Sequence, residues 1–142
     1  MDLLLRIKTW FQGKGTPHHL RIGQIGELAA KRHLKGAGLK FLVANFRTPR
    51  GEIDLVFQDD DCLVFTEVKA RTSEEWGRPA AAVDRERRGR LTRAALDYLR
   101  KIRNPKVKTR FDIVEVLLDG ERVKEVRHLP NAFEMQRPHR YG

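Results

Sequence analysis

The chain has 142 residues, of which 40% are hydrophobic, and a formal net charge of +10. This length suits one domain with a sizeable core. No apolar run approaches the ~20 residues needed to span a bilayer, so we expect no membrane partner. Cys62 is the only cysteine, which excludes an internal disulfide and a cysteine-based zinc site. The composition therefore predicts a reducing compartment, most simply the cytoplasm.

The N-terminal part is poorly patterned, and residues 13–19 are rich in Gly, Pro and His. Its apolar start lacks a small-residue cleavage site, which excludes a signal peptide. We expect residues 1–20 to be a mobile leader, residues 21–133 to form the domain and residues 134–142 to be a C-terminal tail. Within the domain, the pattern predicts a first helix over residues 21–35 and a strand over 41–46.

Two segments rich in Ile, Leu, Val and Phe predict a β-hairpin over residues 52–57 and 62–69, joined by an acidic turn at 59–61. In its second strand, Phe65 shares a face with Glu67 and Lys69, and the opposite face is also largely apolar. Such a strand is typical of the centre of a sheet that is covered on both sides. A charged side chain there needs a partner, a metal ion or a function.

The pairing register of this hairpin decides whether Asp54 joins these charges. If paired residue numbers add to an odd sum, Asp54, Glu67 and Lys69 project to one face. A three-residue loop would place Asp54 on the other face unless a bulge intervenes. We assume the odd register. Two carboxylates and a lysine at a sheet end bind a divalent ion and leave an amine beside its water. The alternative is a surface Glu–Lys pair with an unrelated Asp.

Positive charge is concentrated in residues 85–110, which contain eleven Lys and Arg against two acids and so carry +9 of the net +10. One basic segment on a near-neutral body indicates a polyanionic partner, most simply nucleic acid. The alternative is a solvated helix face that keeps the protein soluble. Arginine predominates in the segment, and its planar guanidinium suits bidentate phosphate contact. The predicted nucleic-acid-binding residues are Arg71, Arg85, Arg87, Arg88, Arg90 and Arg93.

The remaining elements complete the fold. A helix is predicted over residues 84–102. Strands over residues 111–118 and 122–129 form a second hairpin around Asp119-Gly120, a dipeptide compatible with a type I′ turn. The order helix, three strands, helix, two strands predicts a single α/β domain with a mixed central sheet flanked by helices.

A series of short motifs runs in order along most of the chain. It comprises Gly23-x-x-Gly26-Glu27-x-x-Ala30, Asn45-Phe46-Arg47, Gly51-Glu52-Ile53-Asp54-Leu55-Val56, Val64-Phe65-x-Glu67-Val68-Lys69-x-Arg71, Arg110-Phe111-Asp112-Ile113-Val114 and Asn131-Ala132-Phe133. From about Arg21 to Phe133 the chain thereby resembles the uncharacterised bacterial YraN-like family. That family is similar to archaeal Holliday-junction resolvases and belongs to the restriction-endonuclease-like superfamily.

The resemblance implies a restriction-endonuclease-like fold and a metal-dependent nuclease site. The superfamily motif is an acid on the first helix, an Asp on one strand and Glu-x-Lys on the next, and it falls here on Glu27, Asp54, Glu67 and Lys69. Asp54 and Glu67, with Glu27 directly or through water, would hold Mg²⁺ or Mn²⁺. Lys69 would orient the attacking water or stabilise the developing charge. Glu52 is a further outer-shell candidate.

Two functions remain open at this point. The first is a divalent-metal-dependent endonuclease that hydrolyses DNA phosphodiester bonds at branched or Holliday-junction-like structures, as a homodimer because resolvases cut two strands. The second is a non-catalytic nucleic-acid-binding or scaffolding module that retains the nuclease fold. Buried site charges favour the enzyme, because an abandoned metal site has no reason to keep charges that cost stability.

Overall fold

Five β-strands form one mixed sheet with an α-helix packed on each face. The computed structural model describes residues 18–72 and 85–135. The elements in chain order are α1 (His18–Gly36), β1 (Lys40–Thr48), β2 (Gly51–Asp59), β3 (Cys62–Thr72), α2 (Arg85–Lys101), β4 (Lys108–Asp119) and β5 (Arg122–Phe133). The spatial order of the strands is the chain order. Only β3 and β4 pair in parallel, and α2 lies in the connection between them. The predicted α/β class is confirmed, and the architecture is consistent with a nuclease-like fold.

Central strand β3 is buried on both faces, as its sequence predicts. On one face Phe65 packs with Leu91 of α2 and with Phe111 of β4. On the other face Val64 packs with Leu34 of α1 and with other side chains of the second apolar cluster. The alternation places Glu67 and Lys69 on the α2 side of the sheet, beyond the last buried aromatic residue.

The β2–β3 hairpin pairs in the odd register assumed from the sequence. Asp59 pairs with Cys62, so the loop contains only Asp60 and Asp61. The predicted three-residue loop is wrong, because Asp59 belongs to β2. Asp60 adopts a φ of 51°, which Asp tolerates better than most residues because its short polar side chain bonds locally. The two-residue loop by itself produces the odd register.

Two glycines allow the helices to approach the sheet closely. A Cβ atom at Gly26 of α1 would lie 2.6 Å from the Cβ atom of Ala70, and one at Gly51 of β2 would collide with the backbone carbonyl of Arg90 in α2. Real Cβ atoms do not tolerate such contacts, so both positions require glycine. Gly26 thereby sets the distance between α1 and β3, and with it the position of its neighbour Glu27.

Several predicted boundaries differ from the structure: β1, β4 and β5, for example, are each longer than the predicted strands. Residues 18–20, which the sequence assigns to the leader, are already helical, because no glycine or proline occurs between His18 and Arg21 to interrupt the helix. The β4–β5 loop is Gly120-Glu121, since Asp119 pairs with Arg122. Only Gly120 has a positive φ (60°), whereas a type I′ turn requires positive φ at both central residues. The predicted turn type is therefore wrong.

Asp112 is the centre of a buried polar network beside β4. Its carboxylate is fully buried. Oδ1 accepts hydrogen bonds from Arg110 Nε (3.0 Å) and from the Asn131 backbone N–H (2.9 Å), while Oδ2 lies 2.7 Å from His128 Nε2. Arg110 also bonds Asp59 at 3.0 Å. The network ties the start of β4 to β2 and β5, and both Asp112 oxygens are used in doing so.

Neither of the two described helices is long and apolar enough to cross a membrane. Residues 1–17 of the predicted leader and residues 136–142 of the predicted tail lie outside the described residues.

Candidate metal centre and nucleic-acid interface

Asp54 lies where the regular alternation of β2 breaks. Ile53 and Val56 both pack into the apolar cluster beneath α2, whereas Leu55 packs into the cluster beneath α1. Asp54 Oδ2 accepts a hydrogen bond of 2.8 Å from the backbone N–H of Val68 in β3. The bond lies just beyond the end of the β2–β3 ladder. It fixes the carboxylate against β3, as a site residue on a rigid strand requires.

Glu67 is the next acid across the sheet. The β2–β3 ladder ends at Leu55 and Thr66, the residues next to Asp54 and Glu67, so the two acids are electrostatic neighbours across the two strands. The Glu67 side chain is only 6% exposed. Its Oε1 accepts hydrogen bonds from Arg87 Nε (3.0 Å) and Nη2 (2.7 Å). Its Oε2 is buried and finds no hydrogen-bond partner among residues 18–72 and 85–135. One oxygen is therefore anchored by α2, and the other remains available.

Arg87 links two acids rather than one. Besides Glu67, its guanidinium lies 3.5 Å from Glu52 Oε1, and Arg47 Nε lies 3.4 Å from Glu52 Oε2. Glu52 therefore forms ion pairs within the cluster, as expected for an outer-shell acid. Because Arg87 is a residue of the first turns of α2, it connects the basic helix directly to the acidic cluster.

Glu27 approaches the cluster from α1, on the other side of the sheet. Its Oε2 accepts a weak hydrogen bond of 3.5 Å from Asn45 Nδ2. Asn45 adopts a φ of 53° at the point in β1 that faces Asp54. Burial raises the pKa of Glu27, and the negative charge of Asp54 adds to the rise. Helix and strand thus bring Glu27 into electrostatic contact with Asp54, as the motif resemblance implies.

All three carboxylates hold their protons more tightly than free side chains do. Burial is the largest cause for each, because it disfavours the charged form. It raises the pKa of Asp54, against the hydrogen bond from Val68, and is the largest cause of the raised pKa of Glu67, which is about 7 with all causes together. The charge of Asp54 raises the pKa of Glu67 further, while Arg87 lowers it. A cation placed among these groups would offset the free-energy cost of burying their charges and would reduce the repulsion between the carboxylates.

Lys69 extends the same face of β3 two residues beyond Glu67. Burial lowers the pKa of its amine, and the nearby charge of Arg71 lowers it further. Glu67 and Glu115 act in the opposite direction. The ammonium therefore lies within electrostatic reach of the acidic cluster, as predicted from the Glu-x-Lys spacing.

The carboxylates fit a magnesium site of limited protein ligation. Mg²⁺ is commonly bound through one or two carboxylates and completes its shell with waters and substrate phosphates. Glu67 Oε2 is an unpartnered buried oxygen, and Asp54 supplies a second carboxylate beside it. In residues 18–72 and 85–135, no group of three or more Asp, Glu, His or Cys is placed to hold an ion. Among the described residues, Asp54 and Glu67 are therefore the two carboxylates that could hold an ion, and Glu27 does not join them as a third direct ligand.

The predicted nucleic-acid-binding arginines lie in three different settings. Arg85, Arg90 and Arg93 are exposed on the outer face of α2. Arg87 and Arg88 point inward: Arg87 binds Glu67, and the Arg88 guanidinium lies 5.4 Å from the centre of the Phe133 ring. Arg71 is half-buried near Lys69. The basic segment is exposed at Arg85, Arg90 and Arg93 of α2 and again from Arg100 to Lys108, so its charge is spread along the helix and the loop that follows it.

Sequence reasoning missed two members of the site. Arg87 precedes Leu91 by four residues and Ala94 by seven, the spacing of one helix face, so its inward position follows from the core pattern of α2. Glu115 lies in the apolar run of β4, is only 5% exposed and pairs with Lys69 across the parallel ladder. An acidic residue within an apolar, buried strand is the sequence signal that identified Glu67, and the same signal could have identified Glu115.

The raised pKa of Glu67 predicts a pH-dependent stability of the metal-free protein. Between its ordinary pKa of 4.5 and the folded value of about 7, only the folded state keeps the proton. The contribution is therefore complete below about pH 4.5 and is lost as the pH rises through about 7. Relative to Glu67→Gln, which does not titrate, the wild type should lose stability across this window in urea denaturation. Parallel pH curves for the two proteins would contradict the assignment.

The sequence relatives agree with the motif resemblance. The model of the uncharacterised protein family UPF0102 matches residues 26–116, which include Glu27, Asp54, Glu67, Lys69 and Glu115. A UPF0102 protein of Geobacter metallireducens is 38% identical over 118 residues, 83% of this chain and 96% of the relative. Those of Pelotomaculum thermopropionicum and Solibacter usitatus are 42% and 47% identical over 113 residues, covering 79% and 78% of this chain and 94% and 84% of the relatives. The chain therefore belongs to the uncharacterised protein family UPF0102, the YraN family that its motifs resemble.

Proposed function

We propose that this protein is a Mg²⁺- or Mn²⁺-dependent endonuclease that hydrolyses DNA phosphodiester bonds. The observation that carries the proposal is the Glu67 carboxylate, which is buried beside Asp54 and leaves Oε2 without a partner. A purely structural acid would have both oxygens bonded, as Asp112 does. Lys69 on the same face adds the amine that nucleases of the resembled superfamily combine with such a pair.

Each side chain has a distinct task in this mechanism. Asp54 and Glu67 would hold the ion, which when bound polarises the scissile phosphate and lowers the pKa of a coordinated water. Arg87 fixes Glu67 by donating two hydrogen bonds to Oε1, which would leave Oε2 to hold the ion. Lys69 would stabilise the negative charge that develops on the phosphate oxygens in the transition state. Glu27 would orient a water of the ion from the α1 side.

The exposed arginines of α2 would supply the DNA-binding surface. Arg85, Arg90 and Arg93 lie on the helix whose Arg87 reaches Glu67, so phosphates bound along α2 would run toward the acidic cluster. Phosphate contacts of this kind position a duplex without reading its sequence. Similarity to Holliday-junction resolvases extends the proposal to branched DNA and to a homodimer that cuts two strands. The single cysteine suits a reducing compartment such as the cytoplasm.

One observation favours a second candidate, a non-catalytic DNA-binding module. Arg87 already forms an ion pair with Glu67 and reduces the negative charge that a metal ion would meet. If this ion pair persisted on DNA, the fold and the basic surface would remain useful without turnover. The unpartnered Oε2 favours the enzyme, because an ion pair that served stability alone would leave no buried oxygen unsatisfied.

The proposed DNA surface predicts a specific salt dependence. Replacing Arg85 and Arg90 by Gln should flatten the slope of log K against log salt by about 0.9 for each phosphate that the protein no longer neutralises. The measurement is DNA binding with the metal chelated, by fluorescence anisotropy over a range of salt concentrations. Arg122→Gln with Lys124→Gln in β5 removes the same charge from another surface and should leave the slope unchanged. Equal slopes in both double variants would remove α2 from the interface.

Cleavage distinguishes the enzyme from the binding module. Purified protein with Mg²⁺ or Mn²⁺ should cut at least one of linear, flapped, forked and four-way DNA, and chelation should stop the reaction. Asp54→Asn should abolish cleavage, and Lys69→Ala should slow single-turnover cleavage by about 10²-fold, the scale of losing one electrostatic stabiliser. DNA affinity should be retained in Lys69→Ala, because α2 supplies the phosphate contacts. Wild-type rates in both variants would contradict the mechanism.

A further inference from the structure

A buried carboxylate on β4 lies next to the site and belongs to no motif that identified it. Glu115 is only 5% exposed. No hydrogen bond or direct ion pair joins its carboxylate to the described residues, in contrast to Asp112 three positions earlier. A buried carboxylate without such a partner costs free energy unless a nearby positive charge compensates it. The identity of that charge determines what Glu115 does.

Two cations flank Glu115 in the same cross-strand row. Lys69 pairs with it on β3, and Arg127 pairs with it on β5. Neighbouring strands lie about 4.8 Å apart and paired residues share a face, so both long side chains are within reach. Arg127 is half exposed and bonds Glu125 at 3.4 Å. Lys69 is partly buried and interacts electrostatically with Glu115. Glu115 therefore interacts more strongly with Lys69 than with Arg127, because water screens the partly buried ammonium less than the half-exposed guanidinium.

Lys69 lies between two buried acids. Glu67 is two residues away on the same face of β3, and Glu115 is directly across on β4. A lysine attracted only to Glu67 would pair with it and neutralise the carboxylate that the metal ion requires. Attraction toward Glu115 opposes the formation of a Lys69–Glu67 ion pair, since the two acids attract the ammonium in different directions.

We propose that Glu115 is a positioning residue, which holds the Lys69 ammonium away from Glu67 and toward the place where the scissile phosphate would lie. Glu115 itself touches no reacting atom. The catalytic consequence rests on the proposed nuclease function. The coupling between Glu115 and Lys69 does not, because it exists in the folded protein without DNA or metal.

A stability cycle tests the coupling without any cleavage. Glu115→Gln is made in the wild type, in Lys69→Met and in Arg127→Met, and the melting temperature of each protein is measured without metal. If Lys69 is the partner, Lys69→Met should shift the effect of Glu115→Gln toward stabilisation, because the carboxylate removed is then uncompensated. Arg127→Met should leave that effect unchanged. The proposal is overturned if the shift occurs only with Arg127→Met, or if the effect is the same in all three proteins.

Single-turnover cleavage tests the consequence. Glu115→Gln should slow cleavage at least 10-fold in the wild type with unchanged DNA affinity, and Glu115→Asp should restore part of the rate. Glu115→Gln should cause no further loss of cleavage rate when it is added to Lys69→Ala, because the ammonium that Glu115 positions is then absent. An equal loss in Lys69→Ala would overturn the positioning role. If the wild type does not cleave any DNA, the nuclease proposal fails, and the stability cycle still decides whether Glu115 is coupled to Lys69.

Discussion

The ion pair between Arg87 and Glu67 is the contact on which the rest of the site depends. Glu67 lies in the middle of β3, a strand that is buried on both faces, where an isolated carboxylate would lose its hydration with no compensation. Arg87 compensates one oxygen with two short hydrogen bonds and leaves the other unbonded. The same contact joins α2 to the sheet at its polar end. The Arg87–Glu67 ion pair thus fixes the position of α2 on the sheet. It also fixes the orientation of Glu67 and sets the charge balance of the cluster.

Comparison of two buried acids shows why one is interpreted as structural and the other as functional. Asp112 is fully buried, but a guanidinium, an imidazole and a backbone N–H use both of its oxygens. Glu67 is nearly as buried and has one oxygen to which no group in the described part of the chain donates a hydrogen bond. Burial alone does not distinguish these roles. Incomplete hydrogen bonding next to a second carboxylate does, because it leaves a position that an external cation stabilises.

The sequence was sufficient to predict the sheet and most of the cluster, because both follow from a period of two. Alternation assigns Glu67 and Lys69 to one face of β3, and the odd register, which is observed as far as Leu55, brings Asp54 next to Glu67. The three-residue loop was wrong because strand ends cannot be located within a run of identical acids at 59–61. Charge alone predicts that Arg87 lies on the phosphate-binding surface. Its spacing of four residues from the buried Leu91 instead indicates the inward-facing side of α2, where Arg87 pairs with Glu67.

Divalent-ion binding to the acidic cluster is the most direct measure of its function. Calorimetric titration of Mn²⁺ at pH 8, where Glu67 is ionised, should detect binding to the wild type and none to Asp54→Asn. Lys69→Ala should retain or slightly increase the affinity, since it removes a positive charge near the ion. Binding should weaken at pH 6, because protons then compete for Glu67. A wild type that binds no Mn²⁺, or an Asp54→Asn variant that binds it equally well, would contradict the metal site.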